Sequence, residues 1–106
     1  TRKAYCLFLN GELRLLDMKH YKITVRGRVQ GVWFRRYTAE KAVSLQIKGF
    51  VRNLDNGDVY VEAEGENGPM KIFTDWLYTG SPNSKVYDVV LEEGDLKHFR
   101  TFEITR

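Results

Sequence analysis

From residue 20 onward, apolar and polar positions follow two alternating rhythms. Tyr21, Ile23 and Val25 alternate with Lys22, Thr24 and Arg26, the two-residue period of a strand with one buried face. From Phe34 to Gln46 the rhythm changes. Neither Gly nor Pro interrupts that stretch, and Phe34, Thr38, Ala42 and Leu45 fall along one helical stripe. Ile47–Leu54 and Val59–Gly65 read as two further strands, joined across Asp55-Asn56-Gly57, a sequence that supplies the positive φ of a tight hairpin. A second helix is punctuated at both ends. Pro69 suits its first turn, Met70, Phe73, Trp76 and Leu77 form its apolar face, and Gly80 stops it ahead of Pro82. Val86–Leu91 and Phe102–Thr105 are the remaining strands. Phe102 and Ile104 share one side, whereas Tyr87, Val89 and Val90 break strict alternation and leave the register of the former open.

The order βαββαβ predicts an α+β fold, a ferredoxin-like sandwich in which two helices cover one face of a mostly antiparallel sheet. Such an architecture hosts many unrelated functions, so it excludes few of them. Residues 1–17 stand apart. Met18-Lys19 reads as a natural start of translation, which predicts an N-terminal extension over 1–17 and a core domain over 18–106. A competing signal lies inside that extension, because Asn10-Gly11 sits between Tyr5–Leu9 and Leu13–Leu16 in the manner of a hairpin turn.

Composition narrows the classes. With 106 residues, 42% of them hydrophobic and 29% charged, the chain has room for one core. No stretch approaches the roughly 20 apolar residues of a membrane-spanning helix. Ala4–Leu9 is too short for the apolar segment of a secretory signal. The single cysteine, Cys6, excludes an internal disulfide, and no Cys/His cluster has zinc spacing. The expectation is a cytoplasmic protein with no metal and no cofactor. A net charge of +3 favours an anionic partner, either a phosphorylated metabolite or a nucleic acid.

Candidate chemistry concentrates between the first strand and the first helix. Gly27, Arg28, Val29, Gln30, Gly31, Val32, Trp33 and Phe34 form a loop whose two glycines permit positive φ and close approach. Backbone N–H groups of such a loop can turn inward as a nest for an anion, and the following helix adds its positive end. Arg35, in the first helical turn, can reach the same anion with a planar fork of donors. The pattern lacks the third glycine of a dinucleotide fingerprint and the Gly-Lys-Ser/Thr ending of a P-loop. Taken alone, it also fits an ordinary strand-to-helix turn.

The run Gly27-Arg28-Val29-Gln30-Gly31-Val32-Trp33-Phe34-Arg35, followed by Gly49-Phe50-Val51-Arg52-Asn53, closely resembles the two signature motifs of the acylphosphatases. The resemblance covers residues 20 to 106 and matches every fixed position of the first motif. It implies a small, free-standing enzyme that hydrolyses acyl phosphates by direct attack of water on phosphorus. It also implies that the backbone from Arg28 to Phe34 cradles the phosphate, that Arg35 binds the phosphoryl group, and that Asn53 positions the water. No metal and no phosphoenzyme is implied. The expected partners are a small acyl phosphate, with inorganic phosphate or other anions as inhibitors; the expected state is a monomer that binds neither nucleic acid nor membrane. Two departures bear on substrate preference. Trp33 fills a variable position that is often smaller, and Ser81 separates Gly80 from Pro82 where relatives usually have Gly-Pro directly.

Other residues read as background. One helical step turns Arg36 away from Arg35 to a solvated surface role. Trp33 packs over the loop or grips an acyl group. His20 and His98 lack a partner pattern and receive no catalytic role. Asp55, Asp58, Glu62, Glu64 and Glu66 read as a solvated hairpin face. The rival functions are three. An RNA-binding module shares the βαββαβ order, and Lys48-Gly49-Phe50-Val51-Arg52 faintly echoes its signature, but Arg52 and Asp55 stand where aromatics are needed. A non-catalytic phosphate-binding domain would have no use for the amide of Asn53. A domain serving a larger reaction, as in carbamoyl-transferring hydrogenase maturation proteins, would be joined to further domains, whereas the sequence stops at Arg106.

Overall fold

Eight elements make up the computed structural model, which describes residues 2–7 and 13–106, with side chains from Asp17 onward. They are β1 (Arg2–Leu7), β2 (Leu13–Arg28), α1 (Phe34–Ser44), β3 (Lys48–Asn53), β4 (Val59–Glu66), α2 (Asn67–Thr79), β5 (Lys85–Glu93) and β6 (Phe102–Ile104). β2 and β4 are the central strands. β3 pairs antiparallel with β4, and β5 pairs antiparallel with β2. β6 closes the far edge parallel to β3. With two helices crossing one face, this is the ferredoxin-like sandwich that the hydrophobic pattern predicts.

The helix-facing rows of the sheet explain the alternation. Val89, Val25 and Val59 lie side by side across β5, β2 and β4, and the next position in that row is Asn53 of β3. Ile23, Val61 and Val51 form the neighbouring row. Against them pack Phe34 and Ala42 of α1 and Met70, Phe73 and Leu77 of α2, all buried. Removing a ring such as that of Phe34 or Phe73 from this layer would cost about 3–5 kcal/mol. α1 ends at Ser44, two residues short of the predicted Gln46, because Gln46 takes a left-handed φ of 58° that turns the chain into β3. α2 stops at Gly80, as its sequence predicts.

On the opposite face, the expectation of a solvated carboxylate face fails at two positions. Glu62 and Glu64 are buried, not solvated, and His20 is buried between them. His20 Nδ1 lies 2.7 Å from Glu64 Oε2 and its Nε2 lies 3.0 Å from Glu62 Oε1. The segment between β5 and β6 crosses this face as a strap. The backbone N–H groups of Lys97 and Phe99 donate to Glu64, Lys97 Nζ donates to Glu62, and Phe99 stacks on His20. Burial works to raise the Glu62 pKa, but hydrogen bonds from Lys97 and Tyr60, with the charges of Lys97 and His20, outweigh it and hold the carboxyl below its ordinary value. Burial and the bond to Glu62 push the Tyr60 phenol up to about 12.

β1 pairs with the first part of β2, Arg2 opposite Met18 and Leu7 opposite Leu13. Met18 is also opposite Glu66 of β4, so β1 lies along the same edge of β2 as β5. The Asn10-Gly11 turn lies outside the described residues.

Candidate active site

The end of β2 is bent before the loop begins. Arg26 lies opposite Asp88 but Gly27 lies opposite Val86, so Tyr87 is bulged out of the ladder. Gly27 has φ 142°, and a Cβ there would sit 2.1 Å from the Lys85 carbonyl oxygen. Only glycine lets β5 approach that closely. Beyond it the backbone alternates in handedness: Gly31 has φ 74° and Trp33 has φ 63°, while Gln30 and Val32 keep negative φ. Such alternation turns successive N–H groups toward one side and makes a concave donor surface. For the non-glycine Trp33 the left-handed conformation costs about 1–2 kcal/mol.

α1 begins directly on this loop and adds donors to it. No side chain caps the helix and no acidic residue stands in its first turn. Its first backbone bond runs from the Tyr37 N–H to the Trp33 carbonyl, so the earlier N–H groups point past the helix end with its partial positive charge.

Side chains brace the loop from two directions. Gln30 Nε2 donates to the carbonyls of Leu54 (2.7 Å) and Asp58 (2.9 Å), tying the loop to the β3–β4 turn. Ser81 Oγ donates to the Val32 carbonyl at 2.8 Å from the end of α2, and Ser81 is itself buried. The Ser81 insertion is thus a structural tie that sequence reading treats only as a departure. Its signal was the buried position immediately after the helix stop, which becomes visible only once the fold brings residues 32 and 81 together.

Arg35 is half-buried, and its Nη1 donates to the Thr105 carbonyl at 3.4 Å, just beyond β6. Arg35 also lines a cavity of about 500 Å³, together with Val29, Gly31, Trp33, Asn53 and Ile104 among others. Asn53 reaches it from the end of β3. Its Oδ1 is buried and accepts no hydrogen bond from the protein, an arrangement that usually marks a polar atom kept for something else. The fold therefore brings Arg35, Asn53 and the glycine loop to one cavity, although residues 35 and 53 lie on different elements. Arg28, Gly31 and Trp33 are the exposed residues of the loop, and Gly27, Arg28, Gln30 and Val32 are not among the residues that line the cavity.

Arg36 is exposed and pairs with Glu40 at 3.3 Å, as its helical position predicts. It also curls back so that its guanidinium lies 5.7 Å from the Trp33 ring centroid, and it lines the same cavity. Phe50, the aromatic of the faint RNA-like motif, packs on Tyr60 and under Phe99 of the strap. His98 lies exposed, away from the cavity. Among the described residues, no group of three or more His, Cys, Asp or Glu side chains is arranged to hold a metal ion, and no helix is long and apolar enough to cross a membrane.

Comparison with known proteins gives a consistent picture. The family model described as Acylphosphatase matches residues 21–104. An acylphosphatase of Coxiella burnetii is 42% identical over 82 residues, covering 77% of this chain and 86% of that protein. One from Bacillus licheniformis is 44% identical over 89 residues, covering 83% and 99%. The crystal structure of the acylphosphatase from Bacillus subtilis superposes with a TM-score of 0.81 at 37% identity, covering 83% of this chain and 99% of that one.

Proposed function

The chain belongs to the acylphosphatase family, and from that premise we propose how its cavity works: the loop from Gly27 to Phe34 and Arg35 hold a phosphoryl group while Asn53 presents water to it. The protein is an enzyme that hydrolyses acyl phosphates to carboxylate and phosphate. The observation that carries the proposed roles is the convergence of Asn53, Arg35 and the loop on one cavity, with no protein hydrogen-bond partner for the Asn53 Oδ1.

An acyl phosphate already carries a good leaving group, so the catalyst has little protonation to perform. Phosphoryl transfer through a loose transition state is accelerated by positioning and by stabilising charge on the equatorial oxygens. The alternating N–H groups of Gly31 to Trp33, the open N-terminus of α1 and the Arg35 fork supply that field from fixed positions. The Thr105 carbonyl holds the guanidinium in place from behind. Asn53 is neutral and is no base; its carbonyl oxygen accepts a hydrogen bond from water and its amide can donate one. Water held there attacks phosphorus in line, the P–O bond to the carboxylate breaks with its electron pair leaving on the carboxylate, and the water protons pass to phosphate and solvent.

The same reading makes inorganic phosphate and similar anions competitive inhibitors, and we propose further that the enzyme is a cytoplasmic monomer that works without a metal. The test is phosphate release from benzoyl phosphate, with and without EDTA, in water enriched in heavy oxygen. Chelator-insensitive hydrolysis that puts the label in phosphate is expected. Label in benzoate, or a trapped phosphoenzyme, would contradict it.

A further inference from the structure

The cavity continues beyond the phosphate seat onto a surface that hydrolysis itself does not require. Its wall beside Asn53 belongs to β3 and the adjacent β6, where Ile104 lies opposite Val51. Its other wall is Trp33, 67% exposed at the mouth. A large ring in water on a left-handed residue is doubly unfavourable, and glycine or asparagine would meet the same backbone demand without either penalty. Core packing does not account for it, because the ring is outside the core. One neighbour orders it: the Arg36 guanidinium, anchored on Glu40, lies over its face.

In-line attack fixes where the rest of a substrate goes. Water at Asn53 and the departing carboxylate must lie on opposite sides of phosphorus, so the acyl group points away from β3 and β6. The wall left to it is Trp33 with Arg36. We propose that Trp33 is the platform for the acyl group and that it selects acyl phosphates whose acyl portion is a planar aromatic. Arg36 is a positioning residue that holds the ring. This rests on the roles given above to Arg35 and Asn53. An offset ring gains stacking energy on the exposed indole beyond what a small alkyl group gains by area. A second negative charge on the acyl group is disfavoured, since Arg36 is already paired and Glu40 and Tyr37 line the hollow next to Trp33.

The full chain is assayed with benzoyl phosphate and acetyl phosphate, and inhibition by phenylphosphonate is compared with that by methylphosphonate. The aromatic member of each pair is expected to bind roughly tenfold more tightly, the size of one aromatic stacking contact. Trp33→Gly, which accepts the positive φ, is expected to bring both ratios toward one; Trp33→Phe should restore most of the difference and Arg36→Ala should retain part of it. Ratios near one in the unaltered protein overturn the proposal, as do ratios that survive Trp33→Gly or a variant that weakens both members equally. In those cases, hydrolysis of both substrates would leave the reading of Arg35 and Asn53 standing. A protein that hydrolyses neither substrate overturns both.

Discussion

At the scale of single residues, the proposed site divides into groups assigned to the anion and groups that hold those in place. Arg35 is proposed to be of the first kind. Arg35→Gln is expected to lower kcat on benzoyl phosphate by roughly a hundred- to a thousandfold, the usual effect of losing one preorganised donor, and to raise the inhibition constant of phosphate as well. Steady-state kinetics with phosphate as inhibitor checks both. Ser81 belongs to the second kind. Ser81→Ala leaves the Val32 carbonyl without its bond and is expected to destabilise the fold by about 1 kcal/mol, with a smaller loss of activity than Arg35→Gln; urea unfolding and the same assay measure the two. The residues proposed to contact the substrate stood out in the sequence because Gly27, Gly31, Arg35 and Asn53 form motifs at readable spacings. The bracing residues were not. Gln30 could be placed in the loop, but nothing in a linear sequence says that its amide is spent on the carbonyls of Leu54 and Asp58.

Among the elements, strands and helices followed from periodicity, whereas the strap between β5 and β6 did not. It has no hydrophobic rhythm, and its contacts join residues 20, 62 and 64 to 97 and 99, separations that local patterning cannot register. Hence Glu62 and Glu64 read as solvated while the fold buries them against His20. Both His20 ring nitrogens lie within hydrogen-bond distance of a glutamate oxygen. Glu64→Ala would strand His20 and the Lys97 and Phe99 N–H groups in a buried site, and an unfolding free energy lower by about 3 kcal/mol is expected from denaturant titration. The cluster also sets a pH window. Glu62 is held below its ordinary value in the folded protein, so its contribution is complete above the ordinary carboxylate range and is lost as pH falls through the lowered value. Tyr60 is raised from 10.0 to about 12, so deprotonation favours the unfolded chain and stability is lost as pH rises between those values. Tyr60→Phe is expected to flatten that alkaline limb in thermal scans across the range.

For the whole molecule, one ferredoxin-like sandwich carries the proposed site at the end of its central strand, where β2, α1, β3 and the segment after β6 meet. The start at Met18 remains a proposal about this scale. β2 carries its pairing with β4 from Met18 to Val25 and with β5 from Tyr21 to Arg28, so a chain beginning at Met18 is expected to fold and to keep its activity; loss of the cooperative unfolding transition would show instead that β1 is part of the domain. The proposed division of labour between Arg35 and Asn53 is tested most directly by Asn53→Ala. Benzoyl phosphate turnover and phosphate inhibition are measured on the same folded variant. The expected result is a kcat lower by about a hundredfold or more with the phosphate inhibition constant within about twofold of the unaltered protein, because the loop and Arg35 still bind the anion. Unchanged turnover, or phosphate affinity lost in step with it, would contradict the assignment of Asn53 to the water.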